Sequence, residues 1–104
     1  MIINIRTIEE FRNAIRLPLV IVDFYSDHCG PCRVMDSILK KFSETDNTPI
    51  LKINISNDSL LHLVAEYNVK SIPALYWVSY GIAKLSHAGV LSPSTLKHTT
   101  DACK

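Results

Sequence analysis

Cys29 and Cys32 stand three residues apart in the segment His28-Cys29-Gly30-Pro31-Cys32, where an apolar run ending near Tyr25 hands over to a helical pattern. On a helix, side chains at that spacing are neighbours, with Cβ atoms about 5–6 Å apart. A slight tightening of the first turn brings them to the ~3.5–4.5 Å that a disulfide requires. The pair can thus open and close without refolding the domain. A helix N-terminus also presents unpaired N–H groups and the positive end of the macrodipole, both of which stabilise a thiolate. Cys29, at that end, is the expected nucleophile with a lowered pKa. Cys32, one turn inside and more buried, is the expected resolving thiol. Pro31 suits the first turn because its missing N–H would have no intrahelical partner.

Two other readings of the pair carry less. A structural zinc site takes four ligands, usually two such cysteine pairs, and there is no second pair; only His28 and Cys103 stand elsewhere as conceivable ligands. An inert core pair does not account for the helix-start position. No metal and no organic cofactor is expected, only a redox-active Cys29–Cys32 disulfide. Three cysteines in 104 residues are too few for a disulfide scaffold, and the odd count leaves one thiol over. The first residues lack the basic n-region of a signal peptide. The longest apolar run, Leu17 to Val22, contains Pro18 and falls far short of the ~20 residues that span a bilayer. These features predict a reducing, cytoplasmic setting. A net charge of +1, with the charges scattered, gives no reason to expect nucleic acid or an acidic membrane surface.

The elements that must position the cysteines are legible from periodicity. Ile2 to Ile5 is short and β-branched, and Thr7-Ile8-Glu9-Glu10 has the spacing of a capping box ahead of a helical face at Ile8, Phe11 and Ile15. Leu19 to Tyr25 is apolar on both faces, as a central strand is. From Pro31 to about Glu44 the period is helical, with Val34, Ile38 and Phe42 expected on the buried face beside Met35 and Leu39. Ile50 to Ile55 alternates as a strand. Asn57 or Asp58 is placed to cap a helix through Tyr67. Two strands flank Tyr80-Gly81 as a hairpin, and Ser92-Pro93 opens a last helix to about Cys103. The order β-α-β-α-β-α-β-β-α predicts one α/β domain over residues 1–104, a mainly parallel sheet with helices on both faces. Ligands of such sheets gather at the carboxyl ends of the strands, where the Cys29 segment lies.

Val22-Asp23-Phe24-Tyr25-Ser26-Asp27-His28-Cys29-Gly30-Pro31-Cys32-Arg33 resembles the active-site segment of the thioredoxin family. Ser71-Ile72-Pro73-Ala74 resembles its Ile–cis-Pro loop, and Ala88-Gly89-Val90 its third substrate-contacting loop. The resemblance implies a thioredoxin fold, with a central mixed sheet of about five strands and about four helices. It implies that Asp23 accepts the proton of Cys32 when a mixed disulfide resolves. Burial of an acid within Leu19-Val20-Ile21-Val22-Asp23-Phe24 would itself raise its pKa toward a useful value; the other reading has Asp23 facing water at the strand end. Lys52 matches the lysine beside this carboxylate in relatives, and by alternation alone fits an exposed strand face equally well. Pro73 is expected cis, with the Ile72 backbone turned outward to pair with an extended client. His28, Gly30, Pro31, Ile72, Pro73 and Gly89 are the implied client-binding residues.

The sequence departs from the family pattern at four places. His28 replaces the usual tryptophan, Ser37 the helix proline, Ala74 the threonine after the cis-proline, and Ser56 an aspartate at the end of the third strand. His28 has two readings: an imidazolium that supports the Cys29 thiolate, or an exposed residue replacing an aromatic contact surface. The implied activity is that of a monomeric thiol–disulfide oxidoreductase that reduces disulfides in client proteins and is recharged by a thioredoxin reductase or another thiol donor. The competing reading is a non-enzymatic binding module, or an accessory subunit of a larger, even viral, assembly, in which the cysteines are dispensable.

Overall fold

In the computed structural model, which describes residues 1–104, the chain runs β1 (Ile2–Asn4), α1 (Ile8–Ala14), β2 (Val20–Tyr25), α2 (Gly30–Thr45) and β3 (Ile50–Asn54). A 3₁₀ turn (Asp58–Leu60), α3 (Leu61–Glu66), β4 (Ala74–Ser79), β5 (Ile82–Ala88) and α4 (Pro93–Cys103) follow. The five strands form one mixed sheet in the order β1-β3-β2-β4-β5. β3 pairs parallel with both β1 and β2, whereas β4 pairs antiparallel with β2 and with β5. β2 therefore sits at the centre, which is why Val20 to Phe24 are all buried.

Local chemistry sets the element ends. Thr7 accepts from the Glu10 N–H while Glu10 reaches back to the Thr7 N–H, so the capping box forms. Ser92 caps α4 and Pro93 fills its first turn. Tyr80 and Gly81 both have positive φ, 49° and 83°, as a two-residue turn between right-twisted strands requires. The helix expected from Asn57 or Asp58 through Tyr67 is split. Asn57 caps only the 3₁₀ turn, and α3 ends at Glu66 with Tyr67 as its cap.

Each sheet face buries its own core. Phe11 of α1, Ile15 at its C-cap and Leu63 of α3 pack on Val20, Val22, Phe24, Leu51 and Ile53. Met35, Leu39 and Phe42 of α2 and Leu96 of α4 pack on Ile21, Ile50, Leu75 and Trp77. The buried seam of α2 is Cys32, Met35, Leu39 and Phe42, so Met35, Leu39 and Phe42 lie where periodicity puts them, Ile38 is half-buried beside them, and Val34 is off the seam. Val34 is 54% exposed. Spacings of three, four and three hold one stripe toward the sheet, and Val34 lies about 100° off it. No helix is long and apolar enough to cross a membrane.

Candidate active site

Three backbone segments meet at one end of the sheet. β2 leaves the sheet there after Tyr25, and the register partners Phe24–Ala74 and Ala74–Ala88 bring the start of β4 and the end of β5 alongside. Residues 26–32, Ile72–Pro73 and Gly89 thus share this end. The Ile72–Pro73 peptide bond is cis, and the Gly89 N–H donates to the Pro73 carbonyl at 2.7 Å, tying the two loops together. Gly89 has φ of 98°, a conformation in which any side chain would be strained.

Cys29 is the N-cap of α2 and is joined to Cys32 by a disulfide, with Cα atoms 5.2 Å apart. The Cys32 N–H donates to Cys29 Sγ at 3.2 Å, so a helix-end donor that would otherwise be unpaired is aimed at this sulfur. Cys32 is buried and Cys29 half-buried, and Gly30, Pro31 and His28 are exposed around them. A Cβ on Gly30 would meet nothing within 4 Å, so the backbone between the two cysteines borders open space. Asn54 holds the Asp27 carboxylate at 3.2 Å, anchoring the loop ahead of the cysteines.

Beneath this surface lies a charged cluster. Asp23 of β2 and Lys52 of β3 are direct register partners on the face covered by α2. Lys52 Nζ donates to Asp23 Oδ2 at 2.7 Å, and only 1% of the Asp23 side chain and 6% of the Lys52 side chain reach solvent. Asp23 is thus not at the water, and Lys52 is not on an exposed face. The other Asp23 oxygen, Oδ1, is buried with no hydrogen-bond partner. Burial pushes the Asp23 carboxyl above its ordinary range, against the opposing pull of Lys52. Desolvation alone would lower the Lys52 ammonium, but Asp23 and Asp36 outweigh it and hold Lys52 above its usual value. The ammonium also stands 4.4 Å from the Tyr25 ring centroid.

Sequence reasoning missed Asp36. It donates no chemistry by motif, yet its Oδ1 accepts from Lys52 Nζ at 2.9 Å. Its spacing of four from Cys32, one helical turn, was the available signal. A cleft of about 220 Å³ is lined by Tyr25, Ser26, Asp27, Cys32, Arg33 and Asp36, so solvent reaches the resolving cysteine's side of the cluster. A wider groove of about 550 Å³ between α2 and α4, lined in part by Ile38, Phe42 and Pro93, contains no thiol or carboxylate. Cys103, the free thiol, lies in the last turn of α4 against the core. No three His, Cys, Asp or Glu side chains are grouped to hold a metal ion.

The family model described as Thioredoxin matches residues 3–102. Among curated relatives, the thioredoxin of Pyropia yezoensis is 32% identical over 80 residues, 77% of this chain and 75% of the relative. The thioredoxin of Chlamydia trachomatis is 37% identical over 68 residues, 64% of this chain and 65% of the relative. Among solved structures, a mutant thioredoxin from Halobacterium salinarum superposes with a TM-score of 0.89 at 22% identity, covering 97% of this chain and 88% of that one. Mitochondrial thioredoxin 3 of Saccharomyces cerevisiae, in its oxidised form, gives 0.84 at 24% identity, covering 97% and 94%. At these identities the structural likeness bears on the fold alone.

Proposed function

The chain belongs to the thioredoxin family and is a thiol–disulfide oxidoreductase, and from that premise we propose that it works as a dithiol reductant of protein disulfides. The observation that carries this reading is the placement of Cys29 at the N-cap of α2, with the Cys32 N–H aimed at its sulfur. Such a position favours sulfur as the attacking anion. In the forward cycle the Cys29 thiolate attacks a client disulfide and the first client sulfur leaves as a thiolate. Cys32 then gives its proton to Asp23 and attacks Cys29 Sγ. The second client sulfur leaves, and the dithiol has surrendered two electrons.

The unpartnered Oδ1 of Asp23 supports its role as acceptor, because it is a buried carboxylate oxygen with a lone pair to spare. Lys52 supports the same role by fixing the other oxygen. His28, Gly30, Pro31, Ile72, Pro73 and Gly89 form the surface that an extended client segment meets, with main-chain groups of the Ile72 and Gly89 loops available for pairing. Electrons return from a thioredoxin reductase or another thiol donor. The setting we propose is a monomer of one domain in the cytoplasm, where a reducing poise keeps Cys103 and the working pair as thiols.

The test is reduction of a model protein disulfide such as insulin. Cys29→Ser is expected to abolish it, and Cys32→Ser to accumulate a mixed disulfide between Cys29 and the client, seen by mass spectrometry. Full activity in Cys29→Ser would overturn the reading.

A further inference from the structure

One ammonium serves two carboxylates from two elements. Lys52 of β3 binds Asp23 of β2 at 2.7 Å and Asp36 of α2 at 2.9 Å. The two acids are not equivalent. Asp23 is enclosed and keeps a free oxygen, whereas the Asp36 side chain is 32% exposed, lines the cleft with Cys32, and turns its second oxygen to Lys40 at 3.0 Å. A lone Asp23–Lys52 pair would give the buried carboxylate the whole of the ammonium's charge. An acid so matched holds its ionised form and accepts a proton poorly.

We propose that Asp36 is a positioning residue of the redox centre: it holds part of the Lys52 ammonium, so that Asp23 is not fully neutralised as an ion pair and remains able to take the proton that Cys32 releases. The inference rests on the reading of Asp23 as that acceptor. Asp36 acts in two ways that add. It draws a hydrogen bond from Lys52, and its own charge opposes ionisation of Asp23. Lys52 and Lys40 in turn hold Asp36 itself ionised: burial would raise its carboxyl, but their hydrogen bonds outweigh that and lower it. The other charged or titratable groups around the cluster are Tyr25 of β2, Lys40 of α2, the two thiols, and Asp27 and Arg33 at the mouth of the cleft. In the resolving step the Cys32 S–H bond breaks, its proton passes to Asp23 Oδ1, the Cys29–Cys32 bond forms, and the client sulfur leaves with the electron pair. Asp36 exchanges no proton.

The experiment compares the full chain with its Asp36→Asn, Asp36→Glu and Asp23→Asn variants. Stopped-flow resolution of a mixed disulfide between Cys29 and a client peptide is followed against pH, and the Asp23 carboxyl is titrated by carbon NMR in the reduced protein. Asp36→Asn is expected to move both the acid limb of the rate and the Asp23 titration to lower pH. Its plateau rate should fall by about threefold, because a weaker base takes the proton less readily. Asp36→Glu is expected to restore the native profile. An unmoved limb and an unmoved Asp23 titration in Asp36→Asn would overturn the inference. If Asp23→Asn removes the limb while Asp36→Asn leaves it in place, the Asp23 reading stands and the role of Asp36 falls. If the limb survives in Asp23→Asn, both fall.

Discussion

Alternate residues of β2 look onto two interiors. Val20, Val22 and Phe24 face α1 and α3, where every buried neighbour is apolar and Phe11, Phe24, Tyr67 and Tyr76 pack ring against ring at centroid distances of 5.2–5.7 Å. Ile21 and Asp23 face the α2 side. There the register pair Ile21–Ile50 gives way, two residues on, to the pair Asp23–Lys52. The same two strands therefore change from dry packing to a buried ion pair as they approach the cysteines. Burying charge and leaving Oδ1 unpaired both cost stability. Asp23 Oδ1, the buried side-chain oxygen without a partner, lies at the end of the sheet that carries the cysteines. The difference separates what holds the fold from what the redox centre uses.

Substitutions on the two faces should accordingly have opposite signs. The largest effect is expected from Phe24→Ala, on the dry face. Loss of a wholly buried ring should destabilise by about 3–5 kcal/mol, read by urea unfolding. A loss below about 1 kcal/mol would break the comparison, since cores of this density do not refill such a void.

Asp23→Asn sharpens it from the other side. The folded protein holds the Asp23 proton more tightly than the unfolded chain, because burial raises the carboxyl. Its contribution to stability is therefore present below the ordinary carboxylate range and is lost as pH rises through the folded value. Asparagine should gain nothing in acid, and should stabilise near neutrality, where the native chain has to bury the charge. Resolution of mixed disulfides should meanwhile slow by at least about tenfold. Equal stability at acid and neutral pH would contradict the account of this face.

The smallest effect is expected from His28→Trp, on the exposed rim outside both interiors. An aromatic there adds contact area for a docking protein, and should raise the efficiency of a thioredoxin reductase by about two- to fivefold. Exchange with a small thiol should hardly change. Parallel gains with both reductants would show that His28 acts on the thiols rather than on docking.

Local signals made most of the fold legible. The capping box at Thr7, the two-sided apolar run of β2, the Tyr80-Gly81 turn and Ser92-Pro93 each state their structure within a few residues. The cysteines were legible for the same reason, being three apart at a helix start. Val34 misled because residues four apart share a face on either side of a helix, and periodicity alone does not say which side meets the sheet. Lys52 was ambiguous because its partner lies 29 residues away, and only the β2–β3 register brings them together. Asp36 showed no more than its helical spacing from Cys32. A partly exposed acid four residues before Lys40 reads as an ordinary surface pair, and its bond to Lys52 exists only once α2 is laid on the sheet.

The central claim is that Cys29 and Cys32 work as a reductant, and it is tested most directly by the equilibrium between their disulfide and glutathione. Oxidised and reduced protein are quantified by thiol trapping across a series of glutathione ratios. The account predicts a strongly reducing potential, about −270 mV as in thioredoxins, so that the disulfide persists until glutathione is overwhelmingly reduced. A value near −120 mV, the range of strong dithiol oxidants, would contradict it and reverse the direction in which the pair works.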